Sequence, residues 1–168
     1  MRKSRNFPDA LCHKWRLGVA LLQRPTKMIN LVPTSHTFHT MPTPTHNPFG
    51  ATRLDQVLCV EARRYRTVKD GDFFVYLAMD AVSWHAHHFT VRRDNTVADH
   101  IAFIREALAK YRLPQGSTLA VSLPATAKEE LMAAFPLFGR VICDAAGVAE
   151  VTREFHDGFA AQIGARPA

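Results

Sequence analysis

The stretch CVEARRYRTVKDGDFFVYLAMDAVSW (residues 59–84) decides the fold because it predicts two strands joined by a tight hairpin. Apolar residues alternate along the first strand, predicted over Leu54–Thr67, and Glu61 stands among them. An Asp-Gly pair at 70–71 suits a turn that needs positive φ, and the apolar and aromatic run Phe73–Met79 predicts the second strand. The stretch therefore predicts an antiparallel pair with one acidic residue inside its first strand.

The rest of the chain predicts one further strand and then alternating helices and strands. These elements are a strand over Trp84–Val91, a helix behind a Thr96-x-x-Asp99 capping box and ahead of Pro114, a strand over Ser117–Leu123, a helix opened by a second capping box Thr126-x-x-Glu129, a strand over Gly139–Asp144, and a last helix ending at Gly164. Right-handed crossovers make the helix-linked strands parallel. The order β-β-β-α-β-α-β-α predicts an α/β domain over residues 51–168, with a five-stranded mixed sheet flanked by helices.

The positive charge of the chain is concentrated at its start. The sequence has 21 Lys and Arg against 15 Asp and Glu, and residues 1–50 hold seven of the basic and one of the acidic residues. Residues 51–168 therefore hold 14 of each and are neutral. Because residues 30–50 are also rich in Pro and Thr, we expect residues 1–50 to be a basic, mostly disordered extension that carries most of any non-specific affinity for DNA.

Composition argues against several classes of protein. No apolar run reaches the length of about 20 residues that a membrane span needs, so no membrane partner is expected. No convincing secretory signal is present, and Cys12, Cys59 and Cys143 form neither a disulfide framework nor a C-x-x-C metal motif. These features favour a reduced, cytoplasmic setting. The sequence leaves open whether the chain forms a homo-oligomer.

Residues 54–83 resemble the opening of transposase and retroviral-type integrase catalytic cores, which belong to the ribonuclease H-like superfamily. The likeness rests on LDQVLCVEARRYRT-KDGDFFVYLAMDAVS, which runs from a strand with an acid through a Gly-containing hairpin to an Asp-x-x-Ser motif. Asp80 and Ser83 match that motif, and Trp84 stands where Arg is common. The resemblance implies a ribonuclease H-like fold over 51–168 and a role in DNA recombination or integration, with DNA as the partner.

The resemblance also implies a set of catalytic carboxylates that this chain has only in part. Such cores hold two Mg²⁺ or Mn²⁺ ions with an acid in the first strand, one after the fourth strand and one on the last helix. Glu61 takes the first place, and Glu150 or Glu154 the third, which makes Glu61, Glu150 and Glu154 the candidate catalytic residues and Glu61 with Glu150 the candidate metal ligands.

The second acid of the implied set has no counterpart. The fourth strand ends in Ser122-Leu-Pro-Ala125, and Asp144 follows a fifth strand expected to lie two strands, or about 10 Å, from Glu61. The sequence therefore predicts a degenerate core with impaired catalysis that binds no cofactor. The alternatives are an active nuclease or strand transferase that uses Mg²⁺ or Mn²⁺, and a generic α/β binding module without a nucleic-acid function.

Three further groups of residues stay open to two interpretations. Glu61 could instead face solvent at a sheet edge, or pair as a structural residue with one of the nearby arginines Arg63, Arg64 and Arg66. The candidate nucleic-acid contacts could equally form a solvated basic edge; they are Arg63, Arg64, Arg66, Lys69, Arg92 and Arg93. His85 and His87 share one face of the predicted third strand and could chelate Zn²⁺ with His100 or His156 as further ligands, or could simply lie on a polar face.

Overall fold

The first strand lies at the centre of a mixed β-sheet. The computed structural model describes residues 47–164 and 166–167 of the 168-residue chain. Within them, β1 (Val57–Thr67) pairs antiparallel with β2 (Gly71–Asp80), and the register places Glu61 opposite Leu77. Gly71, which follows the hairpin turn, has φ +68°. Glycine adopts this left-handed conformation without strain, as the Asp-Gly pair predicts.

The remaining elements follow in the predicted order. They are β3 (Ala86–Arg92), α1 (Val97–Lys110), β4 (Thr118–Val121), a 3₁₀ turn (Ala125–Ala127), α2 (Lys128–Ala134), β5 (Arg140–Cys143), α3 (Ala145–Ile163) and the two-residue β6 (Arg166–Pro167). The strands lie in the order β3-β2-β1-β4-β5, in which β4 is parallel to both β1 and β5, and β6 pairs with the far end of β1. The predicted α/β architecture with a five-stranded mixed sheet and three helices is confirmed.

The two faces of the sheet bury separate apolar clusters. Because successive strand residues point to opposite faces, Leu58 and Val60 pack with α1 and α2, whereas Val57 and Cys59 pack with α3. Glu61 belongs by this alternation to the α3 face. The sheet therefore delivers the one acidic residue of β1 into the layer beneath the last helix.

Capping residues mark the ends of α1 and α3. Thr96 forms the predicted capping box with Asp99 at the start of α1, and Gly164 ends α3 with φ +60°. Asp144 is the N-cap of α3, and its Oδ1 accepts from the backbone N–H of Gly147 at 3.0 Å. The carboxylate of Asp144 is thus engaged in holding the start of the helix.

Two local predictions differ from the structure. The first strand begins at Val57 and not at Leu54, because Asp55 has φ +61° and cannot belong to an extended strand. The second capping box is wrong: the N–H of Ala127 donates to the carbonyl of Pro124 and closes a 3₁₀ turn, so Thr126 lies inside that turn and α2 begins at Lys128 without a side-chain cap.

The N-terminal extension predicted for residues 1–50 falls mostly outside the described residues, since residues 1–46 are not described. The last residues before position 51 pack on the domain. Nδ2 of Asn47 donates to the carbonyls of Ala51 and Ala81 at 3.1 and 3.2 Å, and Phe49 lies against the apolar cluster under α3. Among the described helices, none has the length and hydropathy to cross a membrane.

Candidate functional site

Glu61 is a buried acid at the centre of a polar network on the α3 face of the sheet. Only 6% of its surface is exposed. An ionised carboxylate in such a place must receive hydrogen bonds and a compensating charge, because the cost of removing it from water is otherwise several kcal/mol. The residues that meet these needs are Arg63, Thr152, His156 and, through His156, Tyr65; together with Glu61 they form what we call the Glu61 network.

Arg63 supplies the counter-charge from the same strand. Its Nε and Nη2 donate to Oε1 of Glu61 at 3.2 and 3.0 Å, and Nη2 also lies 3.2 Å from Oε2. Residues two apart in a strand share a face, so the alternation of β1 alone brings these two side chains together. The interpretation of Glu61 as the structural partner of a neighbouring Arg thus identifies a contact that is present.

The last helix supplies the other contacts. Thr152 and His156 are four residues apart and therefore lie on the same face of α3. The hydroxyl of Thr152 donates to Oε2 of Glu61, and Nε2 of His156 lies 3.1 Å from the same oxygen, at ion-pair distance but off the line of a well-aligned hydrogen bond. These contacts join α3 to the central strand through the carboxylate of Glu61.

Tyr65 and Glu61 lie on the two sides of the His156 ring. The hydroxyl of Tyr65 lies 2.8 Å from Nδ1 of His156 and donates to its backbone carbonyl at 3.1 Å. Burial raises the pKa of Tyr65 to about 12, so the phenol keeps its one proton, which it shares between these two acceptors. The carboxylate of Glu61, 3.1 Å from Nε2, favours the neutral tautomer in which Nε2 carries the proton and Nδ1 is an acceptor.

The protonation states of the network follow from opposing effects. Burial alone would raise the pKa of Glu61, but the polar contact with His156, the hydrogen bond from Thr152 and the charge of Arg63 hold that pKa below its ordinary value of 4.5. Burial lowers the pKa of His156 despite the carboxylate beside it. At neutral pH the network therefore contains an ionised Glu61, a cationic Arg63 and a neutral His156.

These contacts occupy the lone pairs that a metal ion would need. Oε1 accepts two hydrogen bonds from Arg63, and Oε2 faces Arg63, Thr152 and His156. A divalent cation could reach Glu61 only by displacing a guanidinium that already neutralises it. The geometry therefore suits a structural carboxylate better than a metal ligand.

The other predicted members of the carboxylate set do not join Glu61. Glu150 and Glu154 are exposed on α3, whereas the residues of that helix that contact Glu61 are Thr152 and His156. Beside Glu61, the end of β4 presents Ser122, whose Oγ accepts from the N–H of Ala62 at 3.3 Å. In the described part of the chain, these predicted ligands do not assemble into a metal-binding group.

Two of the predicted nucleic-acid contacts, Arg63 and Arg92, are paired with carboxylates of the domain. Arg63 belongs to the Glu61 network. Arg92 donates to Oε1 of Glu106 at 2.8 Å and lies over the ring of Tyr76, with its side chain 20% exposed. Both guanidiniums are largely used by internal contacts.

The other four predicted contacts cluster at the β1–β2 hairpin. We call this group the basic hairpin: Arg64, Arg66, Lys69 and Arg93, with Asp70 and Asp72 between them. Arg64 pairs with Asp72 at 2.6 Å, Arg66 lies 3.7 Å from the same carboxylate, and Arg93 donates to the carbonyls of Asp70 and Asp72. All four basic side chains are exposed, and with Asp94, which follows Arg93, the group has four cations against three carboxylates.

The histidine cluster is arranged differently from its sequence pattern. His85 precedes β3 and is exposed, while the side chain of His87 is 4% exposed, and their rings lie 5.3 Å apart. His100 is buried in α1 with Nδ1 3.1 Å from the carbonyl of Thr96, and His156 belongs to the Glu61 network. Neither of them joins His87; the carboxylates of Asp55 and Asp80 do.

Sequence reasoning did not connect Thr152, His156 or Tyr65 with Glu61. The signal that could have found Thr152 and His156 is their position on the apolar stripe of α3, beside Val148, Val151 and Phe159. A polar residue on such a stripe needs a hydrogen-bond partner when it is buried. Nothing in their order along the chain identifies that partner as Glu61.

Comparisons with known proteins assign no family. No family model and no curated protein matches the chain. The structure of the simian T-cell lymphotropic virus intasome in complex with PP2A regulatory subunit B56 gamma contains a chain that superposes with a TM-score of 0.48 at 15% identity. The match covers 65% of this chain and 41% of that chain, so the protein spans less than half the length of this neighbour.

Replacing Glu61 should destabilise the domain far more than replacing an exposed acid of α3. We expect Glu61→Ala to lower the free energy of unfolding by about 3 kcal/mol, because Arg63 and His156 lose the carboxylate between them. Glu150→Ala, on the exposed face of the same helix, should change it by about 0.5 kcal/mol or less. Urea denaturation at pH 7 measures both values, and equal effects would contradict the structural role of Glu61.

The same network should make stability depend on pH. Because the folded pKa of Glu61 lies below 4.5, its contribution is complete above that value and is lost as the pH falls toward the folded pKa. The lowered pKa of His156 acts in the same direction from about pH 6.5 downward, since the unfolded chain takes up that proton first.

Urea denaturation of the wild type and of Glu61→Gln between pH 7 and pH 3 separates the contribution of Glu61. We expect the difference in free energy of unfolding between the two proteins to shrink as the pH falls below 4.5. A difference that stays constant over this range would show that Glu61 is not held ionised by the network.

Proposed function

We propose that residues 51–168 are a ribonuclease H-like domain of the integrase and transposase core type that has lost metal-dependent catalysis and takes part in DNA transactions by binding the phosphate backbone. The observation that carries this proposal is the state of Glu61: the acid stands in the first strand, where such cores hold a metal ligand, but Arg63, Thr152 and His156 surround it.

The arrangement of strands supports the assignment to this fold. An antiparallel β1-β2-β3 meander continues through helices into β4 and β5, which are parallel to β1, and β5 lies two strands from β1 as the resemblance implies. The Asp-x-x-Ser motif also has a defined role: Oδ1 of Asp80 accepts from the N–H and the hydroxyl of Ser83 at 2.7 and 2.8 Å. The motif thus forms the turn after β2.

Three features support the loss of catalysis. Glu61 is neutralised within the protein, Ser122 stands beside it at the end of β4, and Asp144 caps α3. A two-metal mechanism needs several anionic oxygen ligands around one point, and the two ions repel each other unless the ligands offset their charge. One carboxylate already paired with Arg63 is insufficient for that purpose.

The basic hairpin supports a remaining role in binding DNA. Its cations lie at the end of the β1–β2 ribbon, where Arg66 and Lys69 are exposed, and an excess of positive charge favours phosphate contacts through the release of counterions. Cys59 and Cys143 are both free thiols, which is consistent with a reducing, cytoplasmic compartment.

An assay with labelled DNA tests the loss of catalysis. We expect no cleavage or strand transfer when the full-length protein is incubated with linear and supercoiled DNA and Mn²⁺ or Mg²⁺. Glu61→Gln provides the control for contaminating nucleases, because a contaminant would be unaffected by it. Cleavage by the wild type that Glu61→Gln abolishes would refute the proposal and favour the active enzyme.

Charge reversal on the hairpin tests the binding surface. In the full-length chain, Arg66→Glu with Lys69→Glu should weaken DNA binding several-fold and should reduce the slope of log K against log salt by about two, since two phosphate contacts are lost. Arg112→Glu with Lys128→Glu is the matched control, because it changes the net charge equally at exposed positions away from the hairpin. Equal effects of the two pairs would show that only total charge matters.

A further inference from the structure

A second polar cluster lies at the end of the sheet where β1 begins, apart from the Glu61 network. It consists of Asp55, just before β1, Asp80, at the end of β2, and His87 in β3, and each offers one ligand atom within 4.8 Å of the others. Asp80 pairs with Leu58, three residues before Glu61, which separates the two sites by about 10 Å along the strand.

His87 is the unusual member of this cluster. Its side chain is 4% exposed, and neither ring nitrogen has a hydrogen-bond partner among the described residues. Nε2 is directed toward Asp55, 3.9 Å from Oδ1, which is too far for a hydrogen bond. A buried imidazole whose nitrogens have no hydrogen-bond partner is unfavourable in a folded protein. A metal ion bound to one of the nitrogens would remove that cost.

The two carboxylates are held in place by hydrogen bonds. Oδ1 of Asp80 accepts from Val82 and Ser83 in the turn, whereas the one donor to Oδ2 among the described residues is the backbone N–H of Asp55, at 2.8 Å. That hydrogen bond ties the two acids together. Because a carboxylate oxygen has two lone pairs, Oδ2 can still bind a cation.

Tyr111, the residue that ends α1, orients the other two members. Its ring stacks on His87 with 3.7 Å between the ring centroids and 19° between the planes, and its hydroxyl donates to Oδ1 of Asp55. Asp55 has φ +61°, a conformation that costs energy for any residue with a side chain and is held here by its contacts. The ligand atoms are therefore fixed by neighbours that are not ligands themselves, as in metal sites.

We propose that Asp55, Asp80 and His87 bind one Zn²⁺ ion, with water in the fourth position. One imidazole nitrogen and two carboxylate oxygens are common ligands of Zn²⁺, whereas Mg²⁺ prefers oxygen ligands alone. Ligand atoms in a tetrahedral site with bonds of about 2.1 Å are about 3.4 Å apart, so the cluster has to contract by about 1 Å on binding. The ion would join the start of β1, the end of β2 and β3.

Two variants test this site without removing a structural residue. His87→Phe preserves the stacking on Tyr111 and removes two buried nitrogens that lack partners. Asp55→Asn preserves an acceptor for Tyr111, and Asn tolerates a positive φ. Both variants should therefore fold. His88→Phe is the matched control: His88 is the next residue of β3, where it stacks on Phe103 and is not a member of the cluster.

Metal binding is measured on the full-length protein after treatment with a chelator. Titration calorimetry with Zn²⁺ alone should show one equivalent fewer in His87→Phe than in the wild type and at least tenfold weaker binding at this site in Asp55→Asn, while His88→Phe behaves as the wild type. Comparing variants is necessary because Cys12 and four His in residues 1–46 can also bind Zn²⁺.

The thermal midpoint gives a second readout. Saturating Zn²⁺ should raise it by about 5 °C or more in the wild type and His88→Phe, and this shift should be lost in His87→Phe, whose metal-free form is at least as stable as the wild type. Mg²⁺ should produce no shift that depends on His87. Equal Zn²⁺ stoichiometry and equal thermal shifts in the wild type and His87→Phe would overturn the proposal.

Discussion

The carboxylate of Glu61 has to be neutralised inside the protein, and the structure around the central strand follows from this constraint. The strand alternation places Arg63 on the same face, and α3 contributes Thr152 and His156 to the remaining lone pairs. A buried acid that has lost one partner is strongly unfavourable, so the position of α3 on the sheet depends on these contacts as well as on its apolar stripe. The Glu61 network thus combines a packing role with an electrostatic one.

This arrangement explains how an acid can be accommodated in the first strand without a metal ion beside it. In a metal-dependent core, the cations balance the charge of the clustered carboxylates. Here a guanidinium from the same strand balances the charge of a single carboxylate, which also accepts from the hydroxyl of Thr152 and lies beside the neutral imidazole of His156. An acid in this environment stabilises the fold in the absence of metal.

The sheet separates three polar regions along β1 and its neighbours. The basic hairpin lies at the end where β1 joins β2, the Glu61 network lies in the middle under α3, and the cluster of Asp55, Asp80 and His87 lies where β1 begins. The hairpin is exposed, whereas the Glu61 network is buried and the third cluster is partly buried. Their separation lets variants of one region be interpreted without direct effects on the others.

The order and type of the elements were determined by the sequence alone, because they depend on local periodicity and on turn and cap residues. The Asp-Gly hairpin, the capping box at Thr96 and the end of α3 at Gly164 are examples, and so is the sharing of one face by Glu61 and Arg63. The second capping box failed for a local reason as well, since the backbone after Pro124 forms a 3₁₀ turn instead.

Only the tertiary structure decided what the polar residues do. Thr152 and His156 lie 91 and 95 positions beyond Glu61, and Tyr111 lies 56 beyond Asp55. Such contacts arise when crossovers bring distant elements onto one face of the sheet, and no periodicity of the sequence encodes which polar side chains then meet. The pattern of β1 predicts an acid within an apolar strand and an arginine on the same face, but only the packing of α3 on that strand buries the acid and brings Thr152 and His156 to it.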